Sequence, residues 1–320
     1  MTVSASLAAA LLVASGPVPS HPLFTWQGDD VIESSGLVDR GALVWTNNDS
    51  GDDAVLYAAD TRTGNVVRRA TYADAVTDVE AIAPGRGRTL WAADIGDNRA
   101  NRDDIAVYHV HPRADGDAPR FPLRYPDRPH DAETLLVQPG TQRVFVVSKS
   151  VFGGTVYAAP RHLQRDRENR LHRFAEVSGL VTDGAFFPDG RHVLLRTYGT
   201  ASVYTFPGFE LVGTVTLPAQ PQGEGISVGH GGRVLVSSEG VRSQVLQVTL
   251  PAALSRSGST APASPEGPPP STTGPPPTPQ SERPPRTTAQ WVGIGAVGLV
   301  IAGLGWLTLR VARPRGPHRR

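Results

Sequence analysis

The chain has 320 residues, of which 39% are hydrophobic, and this is enough for one or two globular domains with a large core. It contains no cysteine, which excludes disulfide bonds, a thiolate nucleophile and a cysteine-ligated zinc site. The net charge of +1 hides an asymmetry, because 23 basic and 28 acidic residues precede Pro251, whereas eight Arg and two Glu follow it. A net acidic domain lacks the basic face of a nucleic-acid-binding protein, so we expect no nucleic-acid partner.

The first predicted element is a short apolar segment, SASLAAALLVASG, at residues 4–16. It is too short to span a bilayer comfortably, and its small apolar residues are typical of the central region of a secretory leader. No Arg or Lys precedes it, and a buried strand or helix is the alternative interpretation. We predict a signal peptide over residues 1–20.

Residues 23–250 contain short apolar runs separated by Gly, Pro, Asn and Asp, a pattern that predicts β-strands. One unit recurs five times, with a short strand, a Gly/Pro turn, a strong strand, a variable loop and a further strand. Aligning the five units places these residues in one column: Ser35, Glu80, Glu133, Asp183 and Glu224. A repeat of about 40–50 residues with four strands is typical of a β-propeller blade. The predicted fold is an all-β, single β-propeller of five four-stranded blades.

Ring closure is the next expectation from the repeats. The runs VVRRATY, RFPLRY, RFAEV and LVGTVTL supply an outer strand for the first four units, but the fifth unit ends at QVLQVTL without one. The run LFTWQ precedes the first unit and is available for this position. We predict that Phe24–Trp26 pair with the Gln244–Leu250 strand, because this closure removes the open edges of the sheets.

The aligned acidic residues predict a site on the propeller axis. Neighbouring strands of a blade are antiparallel, so the starts of the first strands and the ends of the second strands lie on the same face. Calcium accepts clusters of carboxylate oxygens, and calcium in the central channel is therefore the candidate cofactor. Two alternatives stay open: the acids cap backbone amides, or they belong to a catalytic or ligand-binding site. The predicted metal ligands are Glu80, Glu133, Asp183 and Glu224.

The loops above this column contain the candidate ligand-binding residues. The loop DIGDNRANRDD, at residues 94–104, lacks the spacing and final Glu of an EF-hand. Basic residues at this face would neutralise the acids or meet an anionic ligand. No catalytic residue is assigned, because there is no GxSxG motif, and His130 has no second His at zinc-ligand spacing. The predicted ligand-binding residues are Asn48, Asp49, Asp94, Asp97, Asn98, Arg99, Lys149, Arg196 and Glu239.

The C-terminal part of the chain predicts a membrane anchor. Residues 251–289 are rich in Pro, Ser and Thr and predict a disordered stalk. Residues 290–310 are long and apolar enough for a transmembrane helix, and the Arg-rich tail at 311–320 places that tail in the cytoplasm and the propeller outside. A GxGxxG pattern inside this helix has no preceding strand, so we expect no nucleotide cofactor.

Several stretches carry a resemblance to a known group of proteins. The stretches DIGDNRANRDDIAVYHV, YPDRPHDAETLLV, DGAFFPDGRHVLLRTY and QGEGISV resemble a family of secreted or membrane-anchored bacterial, actinobacterial-type β-propeller proteins. That family is loosely related to the "esterase-like activity of phytase" and NHL/WD40-like propellers. The resemblance covers about residues 31–250 and implies a propeller at the cell surface, but it implies no catalytic residues.

These expectations favour a membrane-anchored, cell-surface propeller that binds an envelope, glycan or protein ligand outside the cytoplasm. The alternative is a calcium-dependent hydrolase of phosphoesters or esters with its site at the mouth of the channel. The two functions differ in whether a bond is broken at that mouth.

Overall fold

The computed structural model describes residues 12–49, 53–113 and 116–255, and the strands within these ranges form five separate sheets. Two strands precede the repeats, namely β1 (Leu12–Pro17) and β2 (Ser20–Thr25). Blade one contains β3 (Ser34–Asp39), β4 (Leu43–Asn48), β5 (Val55–Asp60) and β6 (Val66–Thr71). Blade two contains β7 (Val79–Pro84), β8 (Leu90–Asp94), β9 (Ile105–Val110) and β10 (Arg120–Arg124).

The remaining blades repeat this meander. Blade three contains β11 (Ala132–Val137), β12 (Val144–Ser148) and β13 (Gly154–Ala158), and the short β14 (Asn169–Arg170) precedes its outer strand, β15 (His172–Val177). Blade four contains β16 (Asp183–Phe186), β17 (His192–Arg196), β18 (Thr200–Thr205) and β19 (Leu211–Thr216). Blade five contains β20 (Gly223–Val228), β21 (Val234–Ser238) and β22 (Gln244–Val248), and helix α1 (Ala252–Ser255) follows it.

The prediction of an all-β propeller with five blades is confirmed. The inner strand of each blade contacts the inner strands of both neighbouring blades, which closes a ring of β3, β7, β11, β16 and β20 around the axis. Every residue of β3, β11 and β20 is buried, because an inner strand is covered on both faces by neighbouring blades. We call the face at which the inner strands begin the upper face, and the opposite one the lower face.

The hydrophobic core is divided among the gaps between blades. Each of five clusters of buried side chains joins two adjacent sheets, and the side chains alternate between the two faces of their strand. Trp26, for example, is fully buried between blades five and one, where its ring meets Phe24 at a centroid distance of 5.0 Å. Where both faces of a strand are covered by neighbouring blades, its sequence is therefore a nearly continuous run of apolar residues.

The N-terminal segment closes the ring as predicted. Strand β2 pairs antiparallel with β22, with Phe24 opposite Val245 and Thr25 opposite Gln244. The backbone amide of Trp26 continues the ladder and donates to the carbonyl of Ser243 at 3.1 Å. Blade five thereby gains its fourth strand from the other end of the propeller, which ties the first and last blades together.

Two sheets carry a fifth strand that the repeat does not predict. Strand β1 pairs in parallel with β19 at the rim of blade four, and β14 pairs in parallel with β10 at the rim of blade two. The expected signal peptide thus overlaps β1, while residues 1–11 lie outside the described residues. The leader over residues 1–20 stays a prediction.

No helix within the described ranges is long and apolar enough to cross a membrane, and the one helix there has four residues. The predicted stalk, the predicted transmembrane helix at 290–310 and the basic tail lie outside those ranges, except for the first residues of the stalk at 251–255. These three assignments stay predictions.

Candidate metal centre on the upper face

A β-bulge at the start of the inner strand recurs in four of the five blades. The register shifts by one residue between Val79 and Ala81 in β7, and equivalent shifts occur in β3, β11 and β20. The bulges contain Ser35, Glu80, Glu133 and Glu224. A bulge re-aims the side chain of its extra residue, so the repeat places these four side chains in one local conformation at the upper end of the axis.

Three carboxylates on this face form a compact cluster. One oxygen each of Asp49, Asp78 and Glu80 lies within 4.8 Å of the others. Asp49 directly follows β4, while Asp78 and Glu80 flank Val79, the first residue of β7. Gly96 leaves room for the cluster, since a Cβ at that position would clash with the carboxylates of Asp78 and Glu80.

Burial disfavours the charged forms of two members of the cluster, Asp78 and Glu80. Burial raises the pKa of Asp78 to about 6, with Asp49 adding to the shift and Arg102 opposing it. Burial, reinforced by Asp49 and Glu133, raises the pKa of Glu80 well above its usual range. Asp78 is only 9% exposed, and its Oδ1 atom has no hydrogen-bond partner among the described residues. A cation between the three groups would remove this repulsion and satisfy that oxygen.

Glu133 and Glu224 extend the acidic cluster toward the single lysine of the chain. Lys149 forms an ion pair with Glu133, and both side chains are largely buried, at 17% and 8% exposure. Burial disfavours the ammonium of Lys149, but Glu133 outweighs burial and raises the lysine pKa. Burial raises the pKa of Glu224 to about 7 although Lys149 opposes the shift, and the Oε2 atom of Glu224 has no hydrogen-bond partner among the described residues.

Blade four departs from the pattern, and its two predicted site residues are used inside the fold. The register of β16 and β17 is continuous, so Asp183 is not in a bulge. Its two carboxylate oxygens accept the backbone amides of Gly184 and Ile226, each at 2.7 Å, and this joins blades four and five. Arg196 is fully buried and donates to the carbonyls of Gly225 and Ser237 at 2.7 and 2.8 Å. Both side chains therefore hold backbone groups of blades four and five together.

The loop at residues 94–104 is held by its own acidic residues. Asp94 accepts the backbone amides of Thr77 and Asp78 and forms an ion pair with Arg102 at 2.7 Å. The carboxylate of Asp97 accepts the backbone amide of Arg102 at 2.7 Å. Both acids thus stabilise the turn next to the cluster, whereas Asn98 and Arg99 are exposed at its tip.

Two further residues that were predicted to bind a ligand, Asn48 and Glu239, differ in their contacts. The Oδ1 atom of Asn48 accepts the backbone amides of Ile32 and Glu33, so this side chain caps the segment before blade one. Glu239 is half-buried, and its carboxylate accepts a hydrogen bond from the side chain of Gln222 at 2.5 Å. Burial and then Asp49 raise the pKa of Glu239 to about 7. Glu239 thus shares the electrostatic environment of the cluster, and Asn48 positions the chain that leads to Asp49.

Asp78 is the member of the cluster that the sequence analysis missed. It precedes the inner strand and stands outside the aligned column, which contains Glu80. The sequence does show a second acidic residue two positions before the aligned one, in the segment Asp78-Val79-Glu80. A search for acids at this spacing around the column would have found it.

Most of the exposed large apolar side chains surround the same face. Six are exposed within the described ranges, and five of them lie on segments of the upper face: Ile32, Val151, Phe152, Tyr198 and Val241. Phe152 is 98% exposed at the tip of the loop between β12 and β13. The face that carries the carboxylate cluster therefore also presents most of the exposed large apolar side chains of the described residues.

The donors of the cluster are all carboxylate oxygens, which suits a hard divalent cation such as Ca²⁺, Mg²⁺ or Mn²⁺ better than Zn²⁺. Glu224, with a pKa of about 7, is also able to take or give a proton near neutral pH. The arrangement can therefore hold a cation, position an anionic group beside Lys149 and transfer a proton.

Comparisons with known proteins do not assign the chain to a family. No protein-family profile matches it, and no curated protein does. Among solved structures it is similar to a gluconolactonase from Xanthomonas campestris, with 14% identity, a TM-score of 0.44, and coverage of 72% of this chain and 89% of that one. This similarity is too low to indicate a shared activity.

Proposed function

We propose that the upper face is a cation-dependent binding site, in which Asp49, Asp78 and Glu80 hold a divalent cation that helps to bind a ligand. The observation that carries this proposal is the cluster itself: three carboxylates lie within 4.8 Å of one another, and a buried oxygen of Asp78 has no partner among the described residues. Exposed apolar side chains on the loops of the same face would supply contact area for the ligand. Calcium is the preferred ion because it accepts several carboxylates in flexible geometry.

The location completes this proposal. A propeller on a Pro-rich stalk, followed by a transmembrane helix at residues 290–310, would present the site outside the cytoplasm to envelope, glycan or protein ligands. Removing residues 290–320 should transfer the protein from the membrane fraction of its host cell to a soluble fraction. A protein that stays in the membrane fraction without these residues would contradict the anchor.

Cation binding is tested by the thermal stability of the purified protein. At a calcium concentration about 100 times the dissociation constant, binding to the folded state adds about 2.7 kcal/mol. For a domain of this size we expect a rise in Tm of about 5 to 10 °C. Asp78→Asn keeps the shape of the side chain, removes its charge and should abolish most of the rise.

Asp74→Asn is the matched control, because Asp74 lies four residues earlier in the same segment and is exposed. This variant should keep the full calcium effect. The same titration with Mg²⁺ and Mn²⁺ ranks the hard cations. A Tm that is unchanged by all three ions, or equal responses of Asp78→Asn and the unmodified protein, would overturn the proposed site.

A second candidate function is a cation-dependent hydrolase of esters or phosphoesters. The observation that favours it concerns Glu224, which has a pKa of about 7 and a buried Oε2 atom without a hydrogen-bond partner among the described residues. The charge of Lys149 also acts on this carboxyl group and opposes the rise of its pKa. Such a carboxyl group can act as general base toward a water, while Lys149 attracts the anionic substrate. Hydrolysis of a panel of esters and phosphoesters that stops in EDTA and in Glu224→Gln would support catalysis. Binding without turnover would leave the binding site as the function.

A further inference from the structure

The lower face contains a cavity of about 900 Å³ that is separate from the carboxylate cluster. It is formed by blades one, two and five, because the turns β3–β4, β7–β8 and β20–β21 and the segment after β9 all reach this face. A cavity of this volume matches the usual size of a small-molecule site. Its lining therefore indicates which chemistry it would accept.

The lining of the cavity is strongly basic. Five of its sixteen residues are arginines, whereas Arg and Lys together make up 31 of the 320 residues of the chain. The arginines are Arg40, Arg68, Arg88, Arg113 and Arg233, and they are accompanied by His111 and His230. Arginine therefore makes up about one-third of the lining of this cavity, although the domain as a whole has a net negative charge.

The single acid of the lining does not neutralise this charge. Asp39 accepts two hydrogen bonds from Arg233, at 2.7 and 2.5 Å, and a third from the backbone amide of Gly41 at 2.8 Å. Its charge is therefore matched by Arg233. The other four arginines form no ion pair within the described residues, and Arg68, Arg88 and Arg113 are exposed.

Arg40 supplies a fixed cation at the wall of the cavity. Its guanidinium donates to the carbonyls of Gly85 and Thr89, at 3.1 and 2.9 Å, and this places it between blades one and two. The Nε atom of Arg40 is buried and has no hydrogen-bond partner among the described residues. Burial lowers the pKa of this guanidinium although Asp39 opposes the shift, so an added anion would stabilise the charged form.

The rest of the lining is largely apolar. Trp45, Leu43, Ala42 and Pro112 form walls beside the arginines. Trp45 is itself packed into the core between blades one and two, so this wall is rigid. A rigid apolar wall next to fixed cations would contact the carbon part of an anionic ligand while the arginines bind its charged end.

We propose that the lower cavity binds an organic phosphate, with the phosphate group held by the arginines and an apolar portion packed against Trp45. Phosphate suits the site better than a carboxylate does, because a phosphomonoester carries nearly two charges and three acceptor oxygens for several forked donors. This site is independent of the proposed cation site, since the two lie on opposite faces and share no residue.

Isothermal titration calorimetry on the purified full-length chain, in EDTA, tests the proposal. Phenylphosphonate is the probe, because its carbon–phosphorus bond withstands hydrolysis. We expect saturable binding that is about tenfold tighter than that of inorganic phosphate, which lacks the apolar group, and tighter than that of benzoate, which carries one charge. Binding should weaken as the salt concentration rises. Absence of saturable binding, or benzoate binding as tightly as phenylphosphonate, would overturn the assignment.

Variants connect the binding to the cavity. The double substitution Arg68→Ser and Arg88→Ser should weaken phenylphosphonate binding at least tenfold. Arg191→Ser is the matched control, because Arg191 lies in the corresponding turn of blade four, on the same face but outside the cavity, and it should keep the affinity within about twofold. Equal losses in the two proteins would show only non-specific attraction to a basic face and would refute the site. Asp78→Asn should bind phenylphosphonate normally, which separates this result from that of the cation site.

Competition experiments distinguish two sources of the phosphate. Glycerol 3-phosphate represents a soluble phosphate ester, and dihexanoyl phosphatidate below its micelle concentration represents a lipid headgroup with short chains. Displacement of phenylphosphonate by the first supports a soluble metabolite, and displacement by the second alone supports a lipid. Displacement by neither would contradict a site for organic phosphates.

Discussion

The two faces of the propeller carry opposite charges, and they differ in how deeply the charged side chains are buried. On the upper face, Glu80, Glu133 and Glu224 are buried, and burial raises the pKa of each. On the lower face, Arg68 and Arg88 are exposed to solvent. Buried charges oppose folding unless a counter-ion or a proton offsets them, whereas exposed charges contribute little to stability. The upper face should therefore respond to pH, cations and substitution, and the lower face should respond mainly to anions.

The largest effect is expected when Lys149 is replaced by Met. This variant leaves Glu133 buried without its positive partner, and breaking a buried ion pair in this way typically costs about 3 to 5 kcal/mol. We expect the free energy of unfolding in EDTA to fall by about 3 kcal/mol at pH 8, because the buried carboxyl group of Glu133 must then keep a proton that the unfolded chain releases. Urea denaturation followed by circular dichroism measures the loss.

The double variant Lys149→Met and Glu133→Gln is the control, because it removes both charges together. It should recover most of the stability that the single variant loses. A loss below about 1 kcal/mol in the single variant would show that the pair behaves like an exposed surface ion pair. The contrast between the two faces would then disappear at this position.

The second prediction concerns the pH dependence that Glu224 imparts. Its pKa in the folded protein is about 7, against a usual value of 4.5, so between these two pH values the folded state keeps a proton that the unfolded state has released. Stability contributed by this group is therefore complete below pH 4.5 and is lost as the pH rises to 7. The loss amounts to about 3 kcal/mol as an upper bound.

Glu224→Gln cannot ionise, so it should flatten this part of the curve when urea denaturation in EDTA is repeated from pH 4.5 to 7.5. Other raised carboxyl groups on the upper face contribute a slope of the same sign, and the difference between the two proteins isolates Glu224. Glu210→Gln is the matched control, because Glu210 is exposed outside the cluster and its replacement should leave the slope unchanged. Parallel curves for Glu224→Gln and the unmodified protein would contradict the assigned shift.

A smaller loss of stability is expected when Asp97 is replaced. This variant tests whether Asp97 only stabilises the turn or also belongs to the cation site. Asp97→Ala removes the acceptor for the backbone amide of Arg102 and should lower the free energy of unfolding by about 1 to 2 kcal/mol. The rise in Tm with calcium should stay as in the unmodified protein, because Asp97 lies outside the carboxylate cluster. Asp103→Ala, at an exposed position of the same loop, should change neither quantity. Loss of the calcium effect in Asp97→Ala would move the cation site into this loop.

The sequence predicted the fold well because the propeller is encoded locally. Each blade repeats its strands and turns, and the missing outer strand of the fifth unit pointed to the Phe24 segment. The parallel additions of β1 and β14 were beyond the repeat, because each pairs with a strand distant in sequence and has no counterpart in other blades. Pairing of this kind depends on the three-dimensional positions of the rims.

The positions of the acidic residues could be predicted in part from the sequence, and the departure at blade four has a physical origin. The metal-binding and ligand-binding roles of these residues stay predictions. Aligning the repeats found Glu80, Glu133 and Glu224 because these residues occupy equivalent bulges. The same alignment grouped Asp183 with them, since the sequence does not reveal that blade four lacks the bulge and turns this carboxylate toward backbone amides. The lower cavity was not predicted, because its arginines come from strand β6 and from turns or loops of three different blades, and each of these segments alone resembles ordinary charged surface.

The smallest change in stability is expected on the lower face, when Arg68 and Arg88 are both replaced. Replacing Arg68 and Arg88 by Ser removes two positive charges, yet both side chains are exposed and form no ion pair within the described residues. We expect the free energy of unfolding to stay within about 0.5 kcal/mol of the unmodified value, with no change in its pH dependence. Removing like charges from one face even relieves some repulsion in low salt. A loss above about 1 kcal/mol would mean that these arginines support the fold, and reduced anion binding in this variant would then need to be separated from reduced folding.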